Sequence, residues 1–117
     1  MKKKGTDKSL VARAFSYDKL VGYQEASIVS RTILDHDVGT VTIFAFDTGQ
    51  SLSEHTAPYD ALIEIVEGSA TITIEGDEHT VKAGEQIIMP ARKPHAVIAP
   101  EQFKMVLIMV RSKEMSE

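Results

Sequence analysis

An all-β fold, a sandwich or barrel of short strands, is what this chain predicts, and three observations carry the prediction. From Ser27 onward, runs rich in Val, Ile, Thr and Phe recur at short intervals, and these residue types suit a pleated, half-buried surface. Turn residues separate the runs: Asp35-His36-Asp37-Val38-Gly39, Asp47-Thr48-Gly49, Glu67-Gly68, Gly76-Asp77, Lys82-Ala83-Gly84 and Pro90. No segment beyond residue 27 offers a convincing helix. About eight short strands at this spacing belong to a sandwich or barrel.

Residues 1–9 are polar, and the sequence reads them as loose, with Lys2-Lys3-Lys4 as a solvated, frayed start. Leu10, Val11, Ala14 and Phe15 are spaced for a short helical turn. Residues 1–26 are therefore expected to be an irregular or partly helical N-terminal segment, with the barrel domain spanning 27–117. Ile28, Val29, Thr32 and Ile33 open the first β-run, and Thr40 to Phe46 makes the second. Strands are expected over Ala61–Val66, Ala70–Ile74, Glu78–Val81, Gln86–Met89, Pro94–Ala99 and Gln102–Arg111. In Ala70–Ile74, alternation with Thr puts Ile72 and Ile74 on a packed face and the threonines on a wet one. Gly76-Asp77 reads as a two-residue hairpin turn.

Met105-Val106-Leu107-Ile108-Met109-Val110 is apolar on both faces. An antiparallel strand with one wet face would alternate. Such a strand is either central between two layers or meets another subunit, and the second option motivates an expected homodimer.

Composition narrows the function. At 117 residues, 43% hydrophobic and 26% charged, the chain is an ordinary globular domain. A net charge of −4 offers no basic face for nucleic acid. Without cysteine there is no disulfide, thiolate site or cysteine nucleophile. No apolar run reaches membrane-spanning length and no secretory h-region follows the N-terminal lysines, so the expected location is the cytoplasm, with no membrane partner. Neither Gly-x-Ser-x-Gly nor a phosphate loop occurs.

Two stretches carry the site chemistry: Gly49-x5-His55 and Gly84-x5-Pro90-x4-His95. Each puts one histidine a fixed distance after a turn glycine. Residues two apart in a strand share a face, so His55, Ala57 and Ala61 share one cavity if the segment is extended, with His95 facing them. Met89 precedes Pro90 and touches the same pocket; Met89, Met105 and Met109 otherwise read as core filler. Glu54, Asp60 and Glu64 fall on the opposite parity. Pro58 can break the register, which makes Asp60 the best carboxylate to rescue a metal site. His36, between two aspartates, and His79, after a tight turn, read as solvated. Arg92 and Lys93, on the loop before His95, read as solvent-facing, with an anion clamp as the sharper alternative.

The spacing of Gly49, His55, Ala57, Ala61 and Gly68, and of Gly84, Pro90, Arg92, His95 and Ala99, resembles the two motifs of the cupin superfamily, specifically its small single-domain conserved-barrel type. The resemblance covers roughly residues 40–111. It implies a double-stranded β-helix, or jelly-roll, barrel. It also implies a divalent transition metal held by three histidines and one glutamate. Position by position, only His55 and His95 remain, because Ala57 replaces the second histidine and Ala61 the glutamate. The glycine and asparagine of the second motif are replaced by Arg92 and Ala99.

Two neutral imidazoles are a poor metal site, since non-haem iron wants a carboxylate beside two histidines and catalytic zinc wants three protein ligands. The expectation is thus a binding protein that takes a small molecule into a His-lined apolar cavity, with no metal cofactor. Two alternatives stand beside it: a metal-dependent dioxygenase or isomerase using His55 and His95, and a purely structural dimeric barrel.

Overall fold

The computed structural model describes residues 5–112. The lysine run at 2–4 lies outside them. Ten strands follow in order: β1 (Gly5–Thr6), β2 (Ile28–His36), β3 (Gly39–Phe46), β4 (Ser51–His55), β5 (Tyr59–Glu67), β6 (Ser69–Ile74), β7 (Asp77–Lys82), β8 (Gln86–Met89), β9 (His95–Ile98) and β10 (Phe103–Arg111). They form two antiparallel sheets. One has the order β1-β2-β3-β10-β5-β8 and the other β4-β9-β6-β7. This is the jelly-roll, double-stranded β-helix arrangement that the resemblance implies.

The main core lies between the sheets. Phe46, Ile63, Ile65, Ile72, Val97, Phe103 and Met105 are almost fully buried there. Phe46 and Phe103 stack with ring centroids 4.5 Å apart and planes 16° from parallel, worth about 1 kcal/mol beyond the area they bury. The expected alternation holds in β6: Ala70 and Ile72 are fully buried, while Ile74 nearer the turn is only half-buried. The hairpin turn itself is Glu75-Gly76, one residue earlier than expected, because Ile74 and Asp77 are register partners. Both turn residues have positive φ, 51° and 86°, the condition for a type I′ turn.

A second core lies on the outer face of the six-stranded sheet and settles the doubly apolar strand. β10 runs centrally between β3 and β5. Met105, Leu107 and Met109 face the barrel interior, whereas Val106 and Ile108 face outward with Ile43, Ala45 and Ile33. The N-terminal segment covers that outer face with Leu10, Tyr17, Leu20, Val21 and Tyr23. The strand is apolar on both sides because each side packs within the same chain. The sequence pattern that motivated a second subunit is thereby accounted for.

The N-terminal segment is more tightly held than its polarity suggested. Gly5 and Thr6 pair with Asp35 and Leu34. Arg31 grips the Asp7 carboxylate at 3.0 Å, and the Ser9 hydroxyl donates to the same carboxylate. Those two partners, Ser9 foremost, hold the Asp7 carboxyl below its ordinary range. The helical turn expected on Leu10, Val11, Ala14 and Phe15 does not form. Instead, short 3₁₀ turns occupy Lys8–Leu10 and Tyr17–Lys19, and Val11 and Phe15 are exposed. Lys104, buried in β10, donates to the Asp18 carbonyl at 2.7 Å, and Tyr23 donates to Glu67 at 2.9 Å. A segment without regular structure keeps its place because its aromatic and aliphatic side chains fill the outer face and its polar groups find partners on the barrel.

Candidate functional site

The cup is built from two facing cross-strand rows. On the smaller sheet, His55 of β4 and His95 of β9 are register partners. On the larger sheet, Ala61 of β5 is the register partner of Met109 of β10 on one side and of Met89 of β8 on the other. Register partners point to the same face, so two imidazoles confront a row of thioether, methyl and thioether. Between them lies a cavity of about 50 Å³, walled by both rows with Ala57, Tyr59 and Leu52 and floored by core residues that include Ile63, Val97 and Met105. That space holds about three to five waters at roughly 10–15 Å³ each. His95 is 5% exposed, while His55 is exposed, so the cup opens on the His55 side.

Local backbone contacts position these groups. Gly49 and Gly84 have φ of +87° and +90°, as turn glycines should. The Arg92 N–H donates to the Ala57 carbonyl at 2.7 Å and the Ala91 N–H to the Asp60 carboxylate at 2.9 Å, which ties the loop before His95 to the loop after His55. Arg92 stands where the second motif carries glycine and has φ of +66°, a left-handed conformation that explains the glycine of the motif.

The histidines are close and are anchored alike, each through Nδ1 to a backbone carbonyl. Their ring centroids lie 4.4 Å apart at 72°. His55 Nδ1 is 2.7 Å from the Ser53 carbonyl and His95 Nδ1 is 3.0 Å from the Lys93 carbonyl. A carbonyl only accepts, so each Nδ1 carries the hydrogen and each neutral ring keeps its lone pair on Nε2. Burial depresses the His95 pKa below its ordinary 6.5, and the adjacent His55 adds to the effect, outweighing the carbonyl of Lys93. Near neutral pH the buried ring is therefore an uncharged acceptor.

All five pocket residues expected from the sequence, His55, Ala57, Ala61, Met89 and His95, line this one cavity. Asp60 does not join them: it is exposed, and its carboxylate is engaged by the Ala91 N–H. The parity argument that set it opposite to Ala61 holds because β5 already begins at Tyr59, so Pro58 does not shift the register. Arg92 and Lys93 are exposed and outside the lining, as are His36 and His79. Met105 and Met109, read as core filler, are cavity walls as well. The signal for them was available in β10, where the odd-numbered residues share the interior face with Leu107. Strand β4 was not expected as an element, because Ser51-Leu52-Ser53-Glu54-His55 has little β-propensity; as an edge strand it rests on pairing with β9.

Two stacked antiparallel sheets closing around a cup, with one histidine from each of two spaced motifs, define a small jelly-roll barrel protein. The cupin-domain family model matches residues 42–111, and the chain belongs to the cupin family. It is similar to a conserved protein of unknown function from Streptococcus pyogenes, at 34% identity over 88% of this chain and 90% of that one, with a TM-score of 0.83. A cupin 2 conserved-barrel domain protein from Leptotrichia buccalis is 40% identical over 82% of this chain, with a TM-score of 0.80; the match spans 47% of that longer protein. A cupin superfamily protein from Desulfitobacterium hafniense DCB-2 shares 27% identity over 86% of this chain and 93% of its own, with a TM-score of 0.82. No curated protein matches the chain.

The cup does not fit the divalent ion that the family resemblance implies. Among the described residues no group of three or more His, Cys, Asp or Glu is placed to hold a metal. The lining offers two imidazoles and no carboxylate, whereas iron or manganese wants anionic oxygen and catalytic zinc a third protein ligand.

Proposed function

We propose that this cupin is a binding protein, which takes a small molecule into the cup between His55 and His95. The observation that carries the reading is the chemistry of the walls. Two Nε2 lone pairs, held by backbone carbonyls on the far side of each ring, are set in a lining otherwise made mainly of aliphatic, thioether and methyl groups. Such a pocket favours an apolar body that presents a hydrogen-bond donor, because the buried His95 acceptor left without a donor costs free energy. A cavity of about 50 Å³ admits the donor-bearing end of a molecule whose apolar body extends past exposed His55, rather than a whole ring enclosed in the cup. No side chain in the lining is an evident nucleophile or a carboxylate base, so the cup is better suited to holding than to reacting.

Phenol is a suitable probe. It should raise the melting temperature of the native protein in proportion to the logarithm of its concentration above Kd. His95→Ala should remove the shift, because the buried acceptor is lost. A shift that survives in His95→Ala would place binding elsewhere, and no shift at millimolar phenol would remove the reading.

A further inference from the structure

The two facing rows carry complementary donor atoms. One supplies nitrogen lone pairs, from His55 and His95. The other supplies thioether sulfur, from Met89 and Met109 flanking the small Ala61, with Met105 deeper in the same lining. We propose that the cup binds a single copper(I) ion, held between the imidazole Nε2 atoms of His55 and His95 and thioether sulfur of the methionine row. This names a ligand for the cup and rests on the reading of the cup as a binding site.

Two properties of the lining favour this ion over divalent ones. Thioether is a soft donor that selects copper(I), while hard divalent ions want carboxylate and carbonyl oxygen. Every donor in the set is neutral, and among the lining residues none carries a carboxylate. The cost of burying a charge in an apolar site rises with its square, so a divalent ion without an anionic ligand is penalised about four times as heavily as a monovalent one. The orientation of the rings is also fixed in advance. Each Nδ1–H is committed to a backbone carbonyl, which leaves Nε2 as the donor atom and removes the choice of tautomer that would otherwise oppose binding. Met89 and Met105 are buried, so their sulfur atoms are shielded from water. Ala61, between Met89 and Met109, leaves the space that a larger side chain would fill.

The test is an anaerobic titration of the purified protein against the coloured copper(I)–bicinchoninate complex. One copper(I) per chain should be withdrawn from the chelator, and X-ray absorption of the product should show both nitrogen and sulfur neighbours. The triple variant M89L/M105L/M109L keeps core volume nearly constant. It should lose the sulfur signal and at least tenfold in affinity. If that variant does not fold, M109L alone, at a half-buried position, should still weaken binding measurably. H55A/H95A should abolish uptake. Failure to withdraw copper, uptake unchanged in H55A/H95A, uptake unchanged in the methionine variants, or stoichiometric retention of Mn²⁺ would each overturn the proposal. Phenol separates the two levels: a His95-dependent phenol shift without copper uptake defeats the copper site alone, and neither signal defeats the binding reading with it.

Discussion

The same strands build a filled end and a hollow end of the barrel, and the contrast is one of side-chain size along a shared face. In β5 the interior face runs Ile65, Ile63, Ala61. In β9 it runs from Val97 to His95, and in β10 from Phe103 through Met105 and Leu107 to Met109. At the filled end, aromatic and branched side chains close the space, with Phe46 stacked on Phe103. At the hollow end, Ala57 and Ala61 leave it open and the two imidazoles bring in polarity. A cavity in a close-packed interior costs stability. The barrel tolerates it because the filled end supplies the core and the N-terminal segment supplies another on the outer face. The cup is a local departure from the rule that the rest of the sheet obeys.

The largest effect belongs to the filled end. Ile72→Asp would bury an unpaired charge at a fully buried position and should cost more than about 4 kcal/mol, which chemical denaturation would register as a largely unfolded protein. Ile74→Asp, at the half-buried register partner of His95, should cost far less and leave a cooperative transition. Equal costs at both positions would erase the distinction between the two ends.

Backbone glycines come next. Gly68 has φ of +77°, and an added Cβ would collide with the Gln102 carbonyl oxygen, whereas Gly84 has φ of +90° with open space around it. Gly68→Ala should cost about 3 kcal/mol, from strain plus the clash, and Gly84→Ala about 1 kcal/mol, from strain alone. Urea midpoints of the two variants would show whether packing or backbone conformation dominates.

A smaller effect should follow pH through the hollow end. His95 is depressed below 6.5 in the folded state. The unfolded chain therefore binds a proton that the folded chain resists, and the stability carried by the neutral ring is fully present above pH 6.5 and lost as pH falls through the folded value. Melting curves from pH 7.5 downward should show this loss, and His95→Gln should flatten that part of the profile. Below it in size is Arg92→Gly. Relief of the left-handed strain at φ +66°, offset by the entropy of glycine, should stabilise the protein by roughly 0.5 kcal/mol. A destabilised variant would mean that the exposed Arg92 side chain, 3.5 Å from the Ser112 hydroxyl, contributes more than its surroundings suggest.

Much of the hollow end was legible in the chain. The spacing of Gly49 to His55 and of Gly84 through Pro90 to His95 was enough to bring the two rings into one cavity with Ala57, Ala61 and Met89. Parity alone turned Asp60 away, because the period of two in a strand leaves no freedom once β5 is extended. The methionine row was not read as a wall. Met89 and Met109 lie twenty residues apart in sequence, and nothing local says that Ala61 stands between them. Among the described residues no helix is long and apolar enough to cross a membrane.

The sequence by itself determined the β-class, most strand positions and the identity of the groups in the cup, because alternation and turn residues act over a few neighbours and a missing side chain is missing in any fold. Only the tertiary structure decided what covers the last strand, that Met105 and Met109 complete the wall of the cup, and how the rings are oriented. Those depend on contacts between segments far apart in the chain: the N-terminal aromatic residues on the outer face, methionines from separate strands about one alanine, and the backbone carbonyls that hold each Nδ1 and free each Nε2.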